Sequence, residues 1–518
     1  MINAGQRPCD KAAILSGRCQ DASGRYGAWV LAATILGSGM EFIDGTVVNV
    51  ALPALQRSLG ASGAQVQWVV EAYALFISAL LLVGGAMGDR YGQRRTFLAG
   101  VIVFAAASVW CGLAPSISHL IAARGLQGIG GAMLVPNSLA LVSAHFPPHR
   151  RGRAIGIWAG SASMMTALGP VLGGWLVQHG SWRWVFFINA PLAVVTLAIV
   201  LWKVPEVPRT EAEQKLDWPG AVLAVAGLSA VTYALIECTQ GSRYVREAGL
   251  IGVALLAAFL WVESRSASPM LPLSLFANRS FSGANLLTFF LYAAFGGALF
   301  YLPLNLIQVQ GYTPTAAGAA MVPQIVLMFL LSRWSGGLLD RYGPRLPLIA
   351  GPMIAAAGYL AMARLGIGGS YWTTFFPALM LLGLGMVISV APLTTVVMNS
   401  VEESRTGAAS GVNNAVSQVA SLLALAVFAP IFFSVFSPAL NRGLHDAQLP
   451  QAVVEQVKNQ RAKLAAIETE DSSARHAIDT AFVAGFRTVM LIAAGLALAA
   501  AASAAATMKP GIQTDTIK

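Results

Sequence analysis

The sequence predicts an all-α polytopic membrane protein: two six-helix bundles in parallel repeat with two further helices inserted between them, fourteen transmembrane helices in all. Three observations predict it. Of the 518 residues, 56% are apolar and 11% are charged, against about 25% charged in an ordinary soluble domain. The apolar residues fall in blocks of ~20 or more, the length an α-helix needs to cross ~30 Å of hydrocarbon. A basic loop motif also returns late in the chain, at the matching point of a second set of blocks.

Taken in order, apolar runs bounded by Gly, Pro and charge place eight spans near 29–52, 67–88, 96–114, 118–143, 154–178, 183–203, 217–237 and 246–264. Six more follow near 281–307, 316–338, 346–364, 373–399, 406–434 and 482–506. Residues 1–28 are polar, carry Arg7, Lys11, Arg18 and Arg25, and lack an apolar core, so they read as a tail and not as a cleaved signal peptide. On this map 29–203 is a first six-helix bundle, 204–280 a linker with two extra spans, 281–506 a second bundle with a long outer loop at 435–481, and 507–518 a second tail. Twenty Lys and Arg lie on the side of the N-terminus and five in the short loops opposite, which predicts that both termini are cytoplasmic. Most of the 12 tryptophans, Trp29, Trp68, Trp110 and Trp175 among them, fall near span ends, where an indole reaches lipid and headgroup together.

The repeat is explicit. Gly85-x-x-x-Asp89-Arg90-Tyr91-Gly92 returns as Gly336-x-x-x-Asp340-Arg341-Tyr342-Gly343, 251 residues on. Pro136 and Pro392 are 256 apart, and Gly156 and Gly411 are 255 apart. Near-constant offsets over three consecutive spans on one side of the membrane indicate a duplicated bundle. The matched spans are eight apart instead of six, so two spans stand between the copies, and the seventh and eighth are the candidates. In the loop motif Gly92 suits a tight turn, Asp89 can pair across helix ends, and Arg90, Arg94 and Arg95 can bind carbonyls, carboxylates or anionic lipid. We read it, with Asp340 and Arg341 of the second copy, as a conformational latch.

Charges at membrane depth are costly unless they are paired or wetted, so each is a functional candidate. Asp44 lies ~22 Å into the first span and Arg124 ~21 Å from the same face, at a rise of 1.5 Å per residue. At matching depth, Arg124 and a proton can compete for the Asp44 carboxylate; the plainer alternative is a permanent ion pair between two helices. Glu41 is one turn from Asp44 and shares its helix face, either as a second proton or cation site or as a wet carboxylate at a cavity mouth. Glu71 lies only ~7 Å from the outer face, where an interfacial position is expected. Gly169-Pro170 interrupts the fifth span's hydrogen bonding and Gly173-Gly174 allows close helix approach, suggesting a kinked helix between the halves. In the outer loop, Val453, Val457, Leu464 and Ile467 would share a face of a short amphipathic helix that could meet a periplasmic adaptor; a solvated loop is the plainer reading. The six histidines and the four cysteines (Cys9, Cys19, Cys111, Cys238) have no metal-ligand spacing and no phosphate-binding loop is present, so no metal, cofactor or ATP hydrolysis is expected. The net charge of +10 sits in short inter-span clusters, which argues against nucleic acid.

Several separated motifs resemble the major facilitator superfamily, in its fourteen-span drug:proton antiporter branch of the EmrB/QacA type. They are Phe42-Ile-Asp44-Gly-Thr-Val-Val-Asn49-Val-Ala-Leu-Pro53, the loop Gly85 to Arg95, Arg124-Gly-Leu-Gln127-Gly128-Ile-Gly130-Gly131, and Gly156 with Gly169-Pro170-Val-Leu-Gly173-Gly174. Trp182-Arg183-Trp184-Val-Phe-Phe-Ile-Asn189-Ala-Pro191 and Gln308-Val-Gln-Gly311-Tyr312 agree as well, while Met165 stands where the branch has a further glycine. The resemblance implies a major facilitator fold, with Asp44 and Arg124 for proton coupling and the fifth-span glycines as the antiporter motif; Glu41, which matches no motif of the branch, joins the proton-coupling candidates only through the helix face it shares with Asp44. Glu41, Asn49, Glu71 and Gln127 become substrate-cavity candidates. The implied function is proton-coupled efflux of amphiphilic, cationic small molecules from a bacterial inner membrane, with membrane lipid as the surrounding partner. An exporter of a metabolite, lipid or siderophore on the same scaffold is the near alternative. A polytopic lipid-modifying enzyme is the remote one, since the short loops hold no His, Asp or Ser cluster.

Overall fold

The structure is a computed structural model that describes residues 22–206, 217–238, 243–266, 269–402 and 405–508, and among these all regular structure is helical. The tails and the 207–216 stretch lie outside the described residues. The membrane-length helices are α1 (Ala22–Leu59), α2 (Gly63–Tyr91), α3 (Gln93–Leu113), α4 (Ile117–His145), α5 (Pro148–His179), α6 (Asn189–Lys203) and α7 (Trp218–Glu237). They continue as α8 (Val245–Arg265), α9 (Arg279–Leu304), α10 (Pro314–Gly336), α11 (Arg345–Ala363), α12 (Phe375–Asn399), α13 (Thr406–Asp446) and α14 (Ser472–Thr507). A short helical turn, Trp184–Phe187, leads into α6, and a π-helical turn, Asn305–Val309, extends α9. Fourteen helices are long and apolar enough to cross a bilayer, where only internally bonded backbone is tolerated. Helix starts are capped: Ser62 and Gln65 form a capping box on α2, and Ser116, Asn278, Thr313 and Asp471 each accept first-turn amides.

The two copies of the loop motif turn alike. Gly92 has φ 99° and Gly343 φ 68°, backbone that a side chain disfavours. The copies also pack alike: α4 lies against α3 as α12 lies against α11. A Cβ on Gly130 would fall 2.6 Å from the Phe104 amide nitrogen, and one on Gly385, 255 residues later, 2.4 Å from that of Ala355. Helices α1 to α6 form one set of contacts and α9 to α14 another; α7 pairs with α8 and lies on α2 and α13.

The two sets meet along two seams, α5 with α10 and α2 with α13, which exchange under the repeat. On the first seam the backbones touch at one end only. A Cβ on Gly174 would sit 2.3 Å from the Pro314 carbonyl oxygen, and one on Gly318 2.0 Å from that of Pro170. Toward the other end, one on Gly160 would meet only the Phe329 ring, at 3.9 Å, and one on Gly156 nothing within 4 Å. On this seam the halves are therefore closed at the end that bears the 447–471 segment and parted at the end that bears the basic loops.

That segment differs from its expectation. Helix α13 runs on to Asp446 and α14 begins at Ser472, so the span between helices is shorter than 435–481. Its helix covers Gln451–Asn459 alone, and Leu464, at φ 57°, lies beyond it. Val457 and Ile467 are buried against the protein itself, so the stripe that the sequence offers an adaptor is already covered. The segment straps the closed end. Gln56 of α1 donates to Lys463 O (3.1 Å) and accepts from Gln308 (3.0 Å), while Arg475 of α14 donates to Gln308 O (2.6 Å) and Ala465 O (3.0 Å).

Candidate functional site: a buried charge cluster beside an apolar cavity

The first bundle is polar at its centre. Asp44, fully buried on α1, forms an ion pair with Arg124 Nη1 of α4, itself almost completely enclosed. Its other oxygen accepts from Gln127 Nε2 at 2.8 Å and from Asn189 Nδ2 at 3.3 Å. Arg124 also donates to Gln127 Oε1 (2.8 Å) and, through Nε, to Val69 O (3.0 Å), and its guanidinium lies 4.1 Å from the centre of the Tyr73 ring. Ser108 of α3 accepts from Asn189 (2.9 Å) and donates to Phe186 O (2.8 Å). Six elements thus meet around one carboxylate, which α4 and α6 bond directly. Such a pair is costly to desolvate and is held only because nearly every lone pair and N–H has a partner. The residues that sequence reasoning missed are Asn189, Ser108 and Tyr73; an Asn within an apolar span, two residues before Pro191, was the signal available for the first.

The structure corrects most of the expected cavity residues. Gln127 belongs to the charge cluster and lines no cavity. Glu71 is completely buried instead of interfacial, bonded by Gln67 Nε2 (3.4 Å), which also donates to Leu425 O across the α2–α13 seam. Asn49 bonds its own helix at Gly45 O (3.4 Å). Glu41 is buried in place of standing wet at a mouth, and its Oε2 lacks a hydrogen-bond partner among the described residues.

The cavity lies where the halves part. It measures about 350 Å³ and is lined by Thr46 of α1, Thr166 and Pro170 of α5, Phe295 and Leu299 of α9, Met321, Gln324 and Met328 of α10, and Met386 and Val390 of α12. None of the described residues that line it is acidic or basic. The expectation of a cavity carrying Glu41 and Asp44, and hence selecting cations, fails because both carboxylates turn inward from α1. The lining was illegible in the sequence: Met and Phe facing a cavity read like Met and Phe facing lipid.

The α5 glycines act at contacts with both halves. Gly169 and Gly173 face Thr46 and Val47 of α1, Gly174 and Pro170 face α10, and Gly156 stands in open space. Met165, in place of a glycine, packs where α1 supplies one, since a Cβ on Gly39 would meet Met165 Cγ at 3.3 Å. In the loop motif, Arg94 donates to Val200 O (3.1 Å) and Arg95 pairs with Glu206 (2.9 Å). Both contacts fall within or beside the first bundle, so these two arginines do not clamp the halves together here. Asp89 is exposed, Gly85 lies near Pro136, and Arg90 and Arg341 lie over the adjacent Tyr91 and Tyr342 rings. The Asp340 side chain lies outside the described residues.

A helical bundle in parallel repeat, with a charge cluster in one half and a cavity between the two, defines a membrane transporter and not an enzyme. The chain belongs to the Major Facilitator Superfamily, whose model matches residues 34–425. It is 35% identical over 490 residues to a protein named multidrug resistance protein Stp of Mycobacterium tuberculosis, covering 89% of this chain and 88% of that one. To the tetracenomycin C resistance and export protein of Streptomyces glaucescens it is 32% identical over 507 residues, covering 94% and 93%. Its fold is similar to that of a bacterial homologue of the human lysosomal transporter Spinster, solved in an inward-facing and occupied conformation, with a TM-score of 0.66 at 18% identity, covering 93% of this chain and 97% of that one.

Proposed function

We propose that the chain is a proton-coupled exporter that moves amphiphilic small molecules out of a bacterial cell by alternating access. The observation that carries this reading is the double role of α1. Asp44 faces the charge cluster, and two residues on Thr46 lines the cavity and donates to Thr166 O of α5 (3.2 Å). Arg124 and a proton compete for the same carboxylate. When a proton wins, α1 loses its strongest tie to α4, and the change passes through Thr46 to α5, the helix that meets the other half. One charge moving through 100 mV supplies ~2.3 kcal/mol, enough to drive useful accumulation without a nucleotide. The export direction draws support from the relatives, which are named for resistance to, or export of, drugs and antibiotics.

The basic end, where the halves part, is the cytoplasmic one on this reading, and the strapped end is external. The two bundles, 29–203 and 281–506, move as the rocking units, and the latch motif re-pairs across them when the cytoplasmic end closes. Alkaline phosphatase fused within 450–470 is expected to be active, and fused at 210 or at the C-terminus inactive; activity at the C-terminus would refute this orientation. Everted vesicles test the function itself. With an imposed acid interior, the protein is expected to accumulate a substrate found in a drug susceptibility panel, and added substrate to release protons at a rate proportional to the amount of protein. Uptake that survives collapse of the gradient would refute proton coupling.

A further inference from the structure

The cavity between the halves offers one unspent pair of hydrogen-bonding groups. Among the described residues four polar side chains line it: Thr46, Thr166, Gln324 and Ser332. The three hydroxyls are committed to backbone carbonyls. Thr46 donates to Thr166 O (3.2 Å), Thr166 to Ala162 O (2.9 Å) and Ser332 to Phe329 O (2.9 Å). Gln324 is 2% exposed over the whole residue, its amide opens onto the cavity, and no side chain or backbone group among the described residues bonds it. An uncommitted amide in an otherwise apolar wall is free to pair with a ligand that enters there. Its seat is built for the purpose: Gly383 of α12 backs it, and a Cβ there would fall 2.9 Å from Gln324 Cγ, so any larger residue would push the amide out of position. Around it stand Met321, Met328 and Met386 with Phe295, soft surfaces that favour aromatic faces.

We propose that Gln324 is the specificity-determining anchor of the transport site, and that the substrates it selects are neutral, flat, largely apolar molecules presenting a free hydrogen-bond donor and acceptor side by side, such as the N–H and carbonyl of a lactam. A carboxamide offers one acceptor and two donors in a plane, so it can answer both groups at once. A permanent cation finds no counter-charge on this wall, because none of the described residues lining it is a carboxylate. A molecule without polar groups fills the same space but leaves the amide unpaired, and a site built to hydrogen-bond discriminates strongly against such an analogue. This inference rests on the export reading above and names the substrate class of the same cavity.

The test uses the purified full-length protein in proteoliposomes, with three probes of similar size: the lactam 6(5H)-phenanthridinone, phenanthrene, and the cation N-methylacridinium. Equilibrium binding and gradient-driven uptake are both measured. The unaltered protein is expected to bind the lactam about tenfold or more tightly than either other probe, the ratio one net hydrogen-bonded pair supplies. In Gln324→Leu, and in Gln324→Met, which keeps the length of the side chain, the lactam-to-phenanthrene ratio is expected to fall to about one. Gly383→Ala is expected to lower the same ratio with the amide still present. A ratio that survives both Gln324 variants would overturn the proposal while leaving the export reading intact. So would a preference of the unaltered protein for the cation. Failure of the unaltered protein to take up any of the three under a gradient would overturn both.

Discussion

Asp44→Asn is expected to abolish proton-driven efflux, a loss of at least ~100-fold, while the protein still inserts, because insertion is set by the apolar spans and not by one side chain. The amide keeps the shape and can still accept from Gln127, but it cannot exchange a proton with Arg124's partner site. It also leaves Arg124 buried without its counter-charge, at a cost of about 3–5 kcal/mol. A lower unfolding temperature should therefore accompany the lost transport. The double variant Asp44→Asn with Arg124→Met separates the two effects: it removes the orphaned charge and is expected to regain much of the thermal stability with none of the proton-driven transport. Recovery of transport in the double variant, measured in everted vesicles, would exclude the pair as the coupling site.

The second large effect belongs to Gly318. A Cβ at this position would lie 2.0 Å from the Pro170 carbonyl oxygen, far inside contact distance, and the obstacle is backbone and cannot swing away. Gly318→Ala is expected to disfavour the state closed at the strapped end by about 1–3 kcal/mol, the range for overpacking a close contact, shifting the balance of conformations by roughly 5- to 150-fold. Gly318→Val is expected to stop transport. The readout is a cysteine placed at Gly160, where the helices stand apart. Its labelling by a membrane-impermeant maleimide from the basic-loop side is expected to fall in both variants. Unchanged labelling together with normal efflux would mean that α5 and α10 do not part and meet during the cycle.

How much of this was legible in the sequence follows from what each residue has to do. The fourteen spans were, because lipid leaves a helix no alternative to a long apolar run, and the boundaries moved most where helices outlast the bilayer, as α1, α5, α13 and α14 do. Asp44 and Arg124 were placed at one depth by the rise of a helix, and they meet in a hydrogen-bonded pair. Depth, however, does not give direction about the helix axis. Glu41 and Asp44 could be assigned to one face but not to the bundle interior, and so a charged cavity was expected where an apolar one exists. Glu71 was misplaced for the same reason: its distance from the outer face was readable, but its burial beside α13 depends on a neighbour more than three hundred residues away. Gln324 gave no signal, since a Gln after a proline in an apolar span does not reveal that its amide lacks a partner.

The repeat makes the two seams equivalent in outline, but α7 breaks that equivalence. It packs on α2 and α13 together, and Leu75, Ala79, Ala224, Leu228 and Leu422 form one small core there, with Trp68 Nε1 bonded to Glu237 at 3.2 Å. That seam is sealed sideways. The α5–α10 seam has no such cover, and Met164, Leu168, Val326 and Phe329 stand exposed along its parted end. On the proposed orientation, a solute dissolved in the inner leaflet meets a helix on one flank and an apolar doorway on the other. Its supply to the cavity is governed by how well it partitions into lipid, so compounds of equal aqueous concentration will rank by their oil solubility.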